Sequence, residues 1–148
     1  MKLLRYIIIL CLSAFVSTAH ATETEDHQFK GSHFLASYCE CDKAALTDLK
    51  NLKKALLEAA KASGATILKS IDHEFHPGNG LTMVILLSES HASIHTYPEY
   101  GACFVDLFTC GDNCQSEPFD QKLRAYLHPK EVSARTLVRD KDITEKEV

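Results

Sequence analysis

Ser90 follows Glu89 at the abrupt end of an apolar run, Leu81 to Leu87, with histidines one and five residues further on, Asp106 beyond them and a cysteine at position 110. A hydroxyl, two imidazoles and a thiol at this spacing offer a nucleophile, proton acceptors and a proton donor. Three chemistries compete. A hydrolytic triad of Ser90, His95 and Asp106 has the right residue types, but no glycine-flanked elbow surrounds Ser90. A metal site from His91, His95 and Glu99 needs a helix to bring residues four apart together, whereas Ser93 to Tyr97 reads as a strand broken by Pro98, so no metal is expected. The third chemistry is self-processing. Ser90 attacks the carbonyl of its own preceding peptide bond to form an ester at Glu89; loss of the Cα proton eliminates that ester, and hydrolysis of the resulting dehydroalanine leaves a pyruvoyl group.

The elements that must position these groups are legible from periodicity. His33 to Cys41 reads as a first strand. Asp42 is a cap for the helix after it, where Leu46, Leu49, Leu52, Leu56 and Ala59 form one apolar stripe until Ser63-Gly64 stops the helix. Ala65 to Ile71 is a second strand, His73 to Gly80 a loop, and Leu81 to Leu87, apolar on both pleat faces, a central covered strand. Ser93 to Tyr97 and Ala102 to Phe108 are the fourth and fifth; in the latter Cys103, Val105 and Leu107 oppose Ala102, Phe104, Asp106 and Phe108. A second helix covers about 118 to 127, with Phe119, Leu123, Tyr126 and Leu127 as its apolar face, and Val132 to Val138 is a last strand. This layout predicts an α+β fold, a two-layer α/β sandwich with a mainly antiparallel sheet and helices on one face.

Composition sets the outer bounds. With 148 residues, 45% hydrophobic and 24% charged, the chain suits one globular domain, and its net charge of -4 with no basic cluster argues against nucleic acid as a partner. Lys2 and Arg5, the apolar run Tyr6 to Val16 and Ala19-His20-Ala21 read as a signal peptide over 1–21, the apolar stretch falling short of the roughly 20 residues of a spanning helix. Its removal predicts an exported, periplasmic or secreted protein. A flexible lead-in over 22–30, a catalytic domain over 31–138 and a charged, frayed tail over 139–148 complete the expected organisation. Five cysteines remain after Cys11 departs, an odd count that implies at least one free thiol. Cys39-x-Cys41 and Cys110-x-x-x-Cys114 lack the two-residue spacing of zinc knuckles.

Several stretches together resemble the prokaryotic S-adenosylmethionine decarboxylase proenzyme family. They are Tyr38-x-Glu40-Cys41-Asp42, Ser63-Gly64-Ala65-Thr66, the long central run Ser88-Glu89-Ser90-His91-x-x-Ile94-His95-Thr96-Tyr97-Pro98-Glu99-Tyr100-Gly101, and Asp106-x-Phe108-Thr109-Cys110-Gly111. The resemblance implies cleavage between Glu89 and Ser90, a β chain ending at Glu89, and an α chain opening with a covalent pyruvoyl cofactor made from Ser90 that takes the substrate amine as a Schiff base. It further implies that His95 moves the Cα proton during processing, that Thr82 stands in for a processing serine, that Cys110 returns a proton to the substrate, and that Glu99 and Phe75 bind ribose and adenine. It implies a homodimer of processed protomers, a small-molecule substrate, and a cytoplasmic supplier of the aminopropyl donor for spermidine, the last at odds with export. The run Gly80-Leu81-Thr82-Met83 departs from the family by a bulky residue near the expected pocket. This keeps two alternatives open, a pyruvoyl decarboxylase of arginine or ornithine and a secreted non-catalytic binding descendant.

Overall fold

A computed structural model describes residues 29–110 and 113–145. Seven strands form one antiparallel sheet: β1 (Gly31–Cys39), β2 (Ile67–Phe75), β3 (Gly80–Leu87), β4 (Ser90–Tyr97), β5 (Ala102–Cys110), β6 (Glu131–Arg139) and β7 (Ile143–Glu145). Their spatial order is β2-β3-β4-β5-β1-β6-β7. Helices α1 (Lys43–Thr47), α2 (Leu49–Ala62) and α3 (Ser116–Leu127) complete the α+β two-layer sandwich that the sequence predicts.

The core lies between one sheet face and the helices, and pleat parity decides which residues enter it. Phe34, Ala36 and Tyr38 of β1, Leu81, Met83, Ile85 and Leu87 of β3, Ala92 and Ile94 of β4, and Cys103, Val105 and Leu107 of β5 are all buried. Against them pack Leu46, Leu52, Leu56 and Ala59, the expected stripe, together with Phe119, Leu123 and Leu127 of α3. Tyr38 is fully buried, and its hydroxyl donates to Asp120, whose carboxylate also pairs with Arg124 at 2.7 Å. That one acceptor anchors β1 to α3. Lys53 of α2 reaches Glu74 at 2.7 Å and Asp72, tying the outermost strand β2 to the helical layer.

Where the structure departs from expectation, local hydrogen bonding explains most of it. The first helix is two helices, because Asp48 leaves helical geometry at ψ 76° and uses its carboxylate to cap Asn51 N–H at 3.2 Å. Asp42 caps α1 as expected, accepting from Ala44 N–H at 2.8 Å. Residues 73–75, expected in a loop, continue β2 in register with β3, Phe75 opposite Gly80. The tail expected to fray from Arg139 carries β7, which pairs with β6 and whose Glu145 meets Arg135 at 2.8 Å. Strand β3 is covered on one face only: Leu86 is 51% exposed, because every helix lies on the other side of the sheet. The signal-peptide reading and most of the lead-in fall outside the described residues.

Candidate active site

The sheet face away from the helices carries Thr82, His91, His95 and Asp106. Ladder register arranges them in rows that run across the strands. One row is His73, Thr82, His95, Phe104, Ser37 and Ser133; the next is Ile71, Val84, Ser93, Asp106, Leu35 and Arg135. A third row holds Leu86, His91, Phe108, His33 and Leu137. A shallow groove of about 440 Å³ runs beside Leu35, Ser37, Phe104, Asp106 and Arg135 on this face. Leu86 and Phe104 project from it half-exposed.

Two clusters stand at opposite ends of β4. At the end near Tyr97, Thr82 Oγ1 and His95 Nδ1 are 2.9 Å apart across the β3–β4 ladder, so the two expected processing residues do meet. Phe75 lies two residues along β2 from His73, which pairs with Thr82; the Phe75 and His73 rings contact edge to face with centroids 4.7 Å apart. Glu99 follows, exposed, on a single-turn 3-10 helix, residues 98–100, whose Pro98 is buried. Met83, the bulky departure from the family pattern, points the other way. It is 2% exposed in the helix-side core, so it does not enter the face where the site lies.

At the other end stand Glu89, Ser90 and Cys110. The Glu89 carbonyl accepts from Cys110 N–H at 2.9 Å, its carboxylate accepts from Thr66 N–H at 3.0 Å, and neighbouring Ser88 N–H donates to Thr66 O at 2.9 Å. The residue before Ser90 is therefore held from both its backbone and its side chain. Ser90 Oγ lies 3.4 Å from His91 Nδ1. The Cys110 thiol is exposed, and all five described cysteines are free, including the buried Cys41 and Cys103.

Ser90 and His95 do not meet within one chain. They lie five residues apart on one extended strand, which at about 3.3 Å per residue separates their Cα atoms by about 16 Å. The hydrolytic triad is likewise not assembled, since Asp106 accepts from Ser93 Oγ at 2.9 Å while His95 is engaged with Thr82. Sequence reasoning gave His91 no specific role beyond an imidazole near Ser90 and a candidate metal ligand, and it left His33 unassigned. Strand parity places both beside Phe108 on the open face, with ring centroids 5.7 and 5.4 Å from it. His33 Nε2 is buried without a hydrogen-bond partner, 3.8 Å from Asp106, and burial lowers its pKa against the opposing pull of that carboxylate.

These groups fit the making of a pyruvoyl group from Ser90. The hydroxyl sits next to a carbonyl already held by a backbone donor, a free thiol lies at the same end, and an imidazole contacts the hydroxyl.

Known proteins place the chain in a family. The model of a family described as S-adenosylmethionine decarboxylase matches residues 32–140. The S-adenosylmethionine decarboxylase proenzyme of Synechococcus sp. (strain WH7803) is 43% identical over 110 residues, 74% of this chain and 85% of that protein. That of Thermotoga petrophila is 41% identical over 102 residues, covering 69% and 78%. The crystal structure of the adenosylmethionine decarboxylase from Aquifex aeolicus superposes with a TM-score of 0.68 at 32% identity, covering 82% of this chain and 98% of that one. The chain belongs to the S-adenosylmethionine decarboxylase family.

Proposed function

We propose that this protein is a self-processing, pyruvoyl-dependent S-adenosylmethionine decarboxylase that supplies the aminopropyl donor for spermidine. The observation that carries the reading is the Glu89–Ser90 junction, where the carbonyl to be attacked is anchored by Cys110 N–H and the attacking hydroxyl follows it directly. Cleavage there yields a β chain ending at Glu89 and an α chain beginning at residue 90. The pyruvoyl ketone supplies an electron sink for the departing CO2. The chain's own residues do the rest. Cys110, free and exposed at the same strand end, donates a proton to the substrate carbon, while Phe75 and Glu99 hold adenine and ribose.

The active unit in this reading is a homodimer closed face to face through the open sheet surface. Half-exposed Leu86 and Phe104 make that surface costly to leave in water. A two-fold contact also brings the Ser90 end of one copy to the Thr82–His95 end of the other, completing a site that neither copy holds alone. S-adenosylmethionine is favoured over arginine or ornithine because the one bulky departure, Met83, is spent in the core. The signal-peptide reading of residues 1–21 is tested separately, by N-terminal sequencing of the mature β chain, which finds or misses a new start after Ala21.

Intact-mass measurement is the decisive experiment. Two chains split at Glu89, with an α chain blocked by a pyruvoyl group and CO2 release from S-adenosylmethionine, are expected. Ser90→Ala leaves one intact, inactive chain; a wild-type chain that stays whole, or an active Ser90→Ala protein, refutes the reading.

A further inference from the structure

The geometry points to His91 as the base that opens the processing reaction, taking the Ser90 hydroxyl proton on Nδ1 as Oγ attacks the Glu89 carbonyl carbon. This step rests on the self-processing reading above and assigns a residue to its first bond change. Three features carry it.

First, His91 Nδ1 is the imidazole nitrogen in contact with the Ser90 hydroxyl, at 3.4 Å. His95 lies five residues along the same strand and holds Thr82 at 2.9 Å, so it is placed for a different proton. A contact of this length before reaction is ordinary for a base that tightens onto its hydroxyl only as the proton moves.

Second, the imidazole is oriented by its neighbours. Its ring is tilted against Phe108 at 5.7 Å and meets His33 edge-on at 6.4 Å, with Leu86 opposite it in the β3 register. Phe108 is itself covered by the Arg139 guanidinium, 4.6 Å from its centroid. The ring is thus stacked between strands instead of sweeping through solvent.

Third, the charge that develops has a receptor. As the hydroxyl adds, the Glu89 oxygen becomes an oxyanion, and Cys110 N–H already donates to it at 2.9 Å. The Glu89 carboxylate is held by Thr66 N–H, a second tether on the residue whose carbonyl is attacked. The proton balance closes without a further reactant. His91 takes the hydroxyl proton, Oγ bonds to the carbonyl carbon, the C–N bond breaks, and the same proton passes from His91 to the departing Ser90 nitrogen. The product is the Glu89 ester of Ser90 with a free amine, isomeric with the starting chain.

General-base assistance of this kind is worth about 10²- to 10⁴-fold in rate. In uncleaved precursor made by cell-free translation, His91→Ala is expected to form the β chain at least about 100-fold more slowly than wild type. Imidazole added to the buffer should restore much of that rate. Hydroxylamine, which cuts an ester once formed, should leave the slow variant slow. His91→Gln, which keeps a polar side chain of similar reach but takes up no proton, guards against misfolding and should be equally slow with an unchanged circular dichroism melt. Cleavage of both variants at the wild-type rate overturns the assignment. Slow cleavage that imidazole does not rescue assigns His91 a packing role instead, and acceleration of His91→Ala by hydroxylamine moves its action to a later step. A wild-type precursor that never cleaves refutes the self-processing reading and this step with it, which distinguishes the two failures.

Discussion

Ser90 and His95 sit on one extended strand, about 16 Å apart at about 3.3 Å per residue. Proton transfer needs about 3 Å between the groups, directly or through one water. Strand β4 cannot fold back on itself, because it is paired along most of its length with β3 on one side and β5 on the other. In the proposed reading His95 therefore acts on a second copy's Ser90, and a complementation experiment tests this directly. Ser90→Ala and His95→Ala chains, each inactive alone, are co-expressed with different mass tags. In random two-fold pairing about half of the His95→Ala chains face a Ser90→Ala partner that still carries His95. Those chains are expected to become pyruvoyl-blocked α chains, while the Ser90→Ala chains stay whole. Action within one chain predicts no blocked chain at all, since neither variant holds both residues. Absence of blocked His95→Ala chains in isolated mixed dimers, with wild type processed normally, refutes the argument from strand geometry.

Three further outcomes follow from the contacts described. Thr82→Val removes the 2.9 Å partner of His95 at nearly constant volume; with about 1 kcal/mol for such a bond, processing should slow about five-fold, and Thr82→Ser should recover it, both read from the rate of α-chain formation. Tyr38→Phe deletes the hydroxyl that donates to Asp120 in the core; a bond to a charged acceptor is worth about 1.5–3 kcal/mol, which lowers the melting temperature by about 3–12 °C in a calorimetric scan. Because burial lowers the His33 pKa from 6.5, the unfolded chain binds its proton more readily than the folded one. Stability is therefore full above pH 6.5 and falls as pH drops below it towards the folded value. Urea titrations of wild type and His33→Gln should differ in slope within that acidic window and run parallel above it.

The sequence was most legible where one physical demand dominated a segment. The Leu46 to Ala59 stripe and the Cys103, Val105, Leu107 alternation are set by which residues must leave water, and both hold in the structure. The motif from Ser88 to Gly101 likewise identified the family, because chemistry constrains residue type there more tightly than folding does. What pattern could not supply was competition between local and distant partners. Asp48 breaks a continuous apolar stripe because its carboxylate serves Asn51 as a cap. Residues 73–75 join β2 because β3 offers a ladder across the turn. The separation of Ser90 from His95 was hidden for a related reason: five residues is near in sequence, yet an extended strand makes it one of the longer reaches in the site. His91 was named without a definite role because a histidine beside a serine acquires meaning only once parity and side-chain distance are known.

The strand order has a consequence for what the proposed cleavage would do to the molecule. In the sequence β2-β3-β4-β5-β1-β6-β7, the piece before Ser90 contributes β1, β2 and β3, and the piece after it contributes β4 to β7. The two pieces alternate across the sheet, meeting at β3–β4, at β5–β1 and at β1–β6, with β1 threaded between two strands of the other piece. Breaking one peptide bond therefore frees neither fragment. It changes the molecularity of unfolding instead, from one chain losing its shape to two chains parting, so the midpoint of denaturation becomes dependent on protein concentration and reassembly after dilution becomes a second-order event.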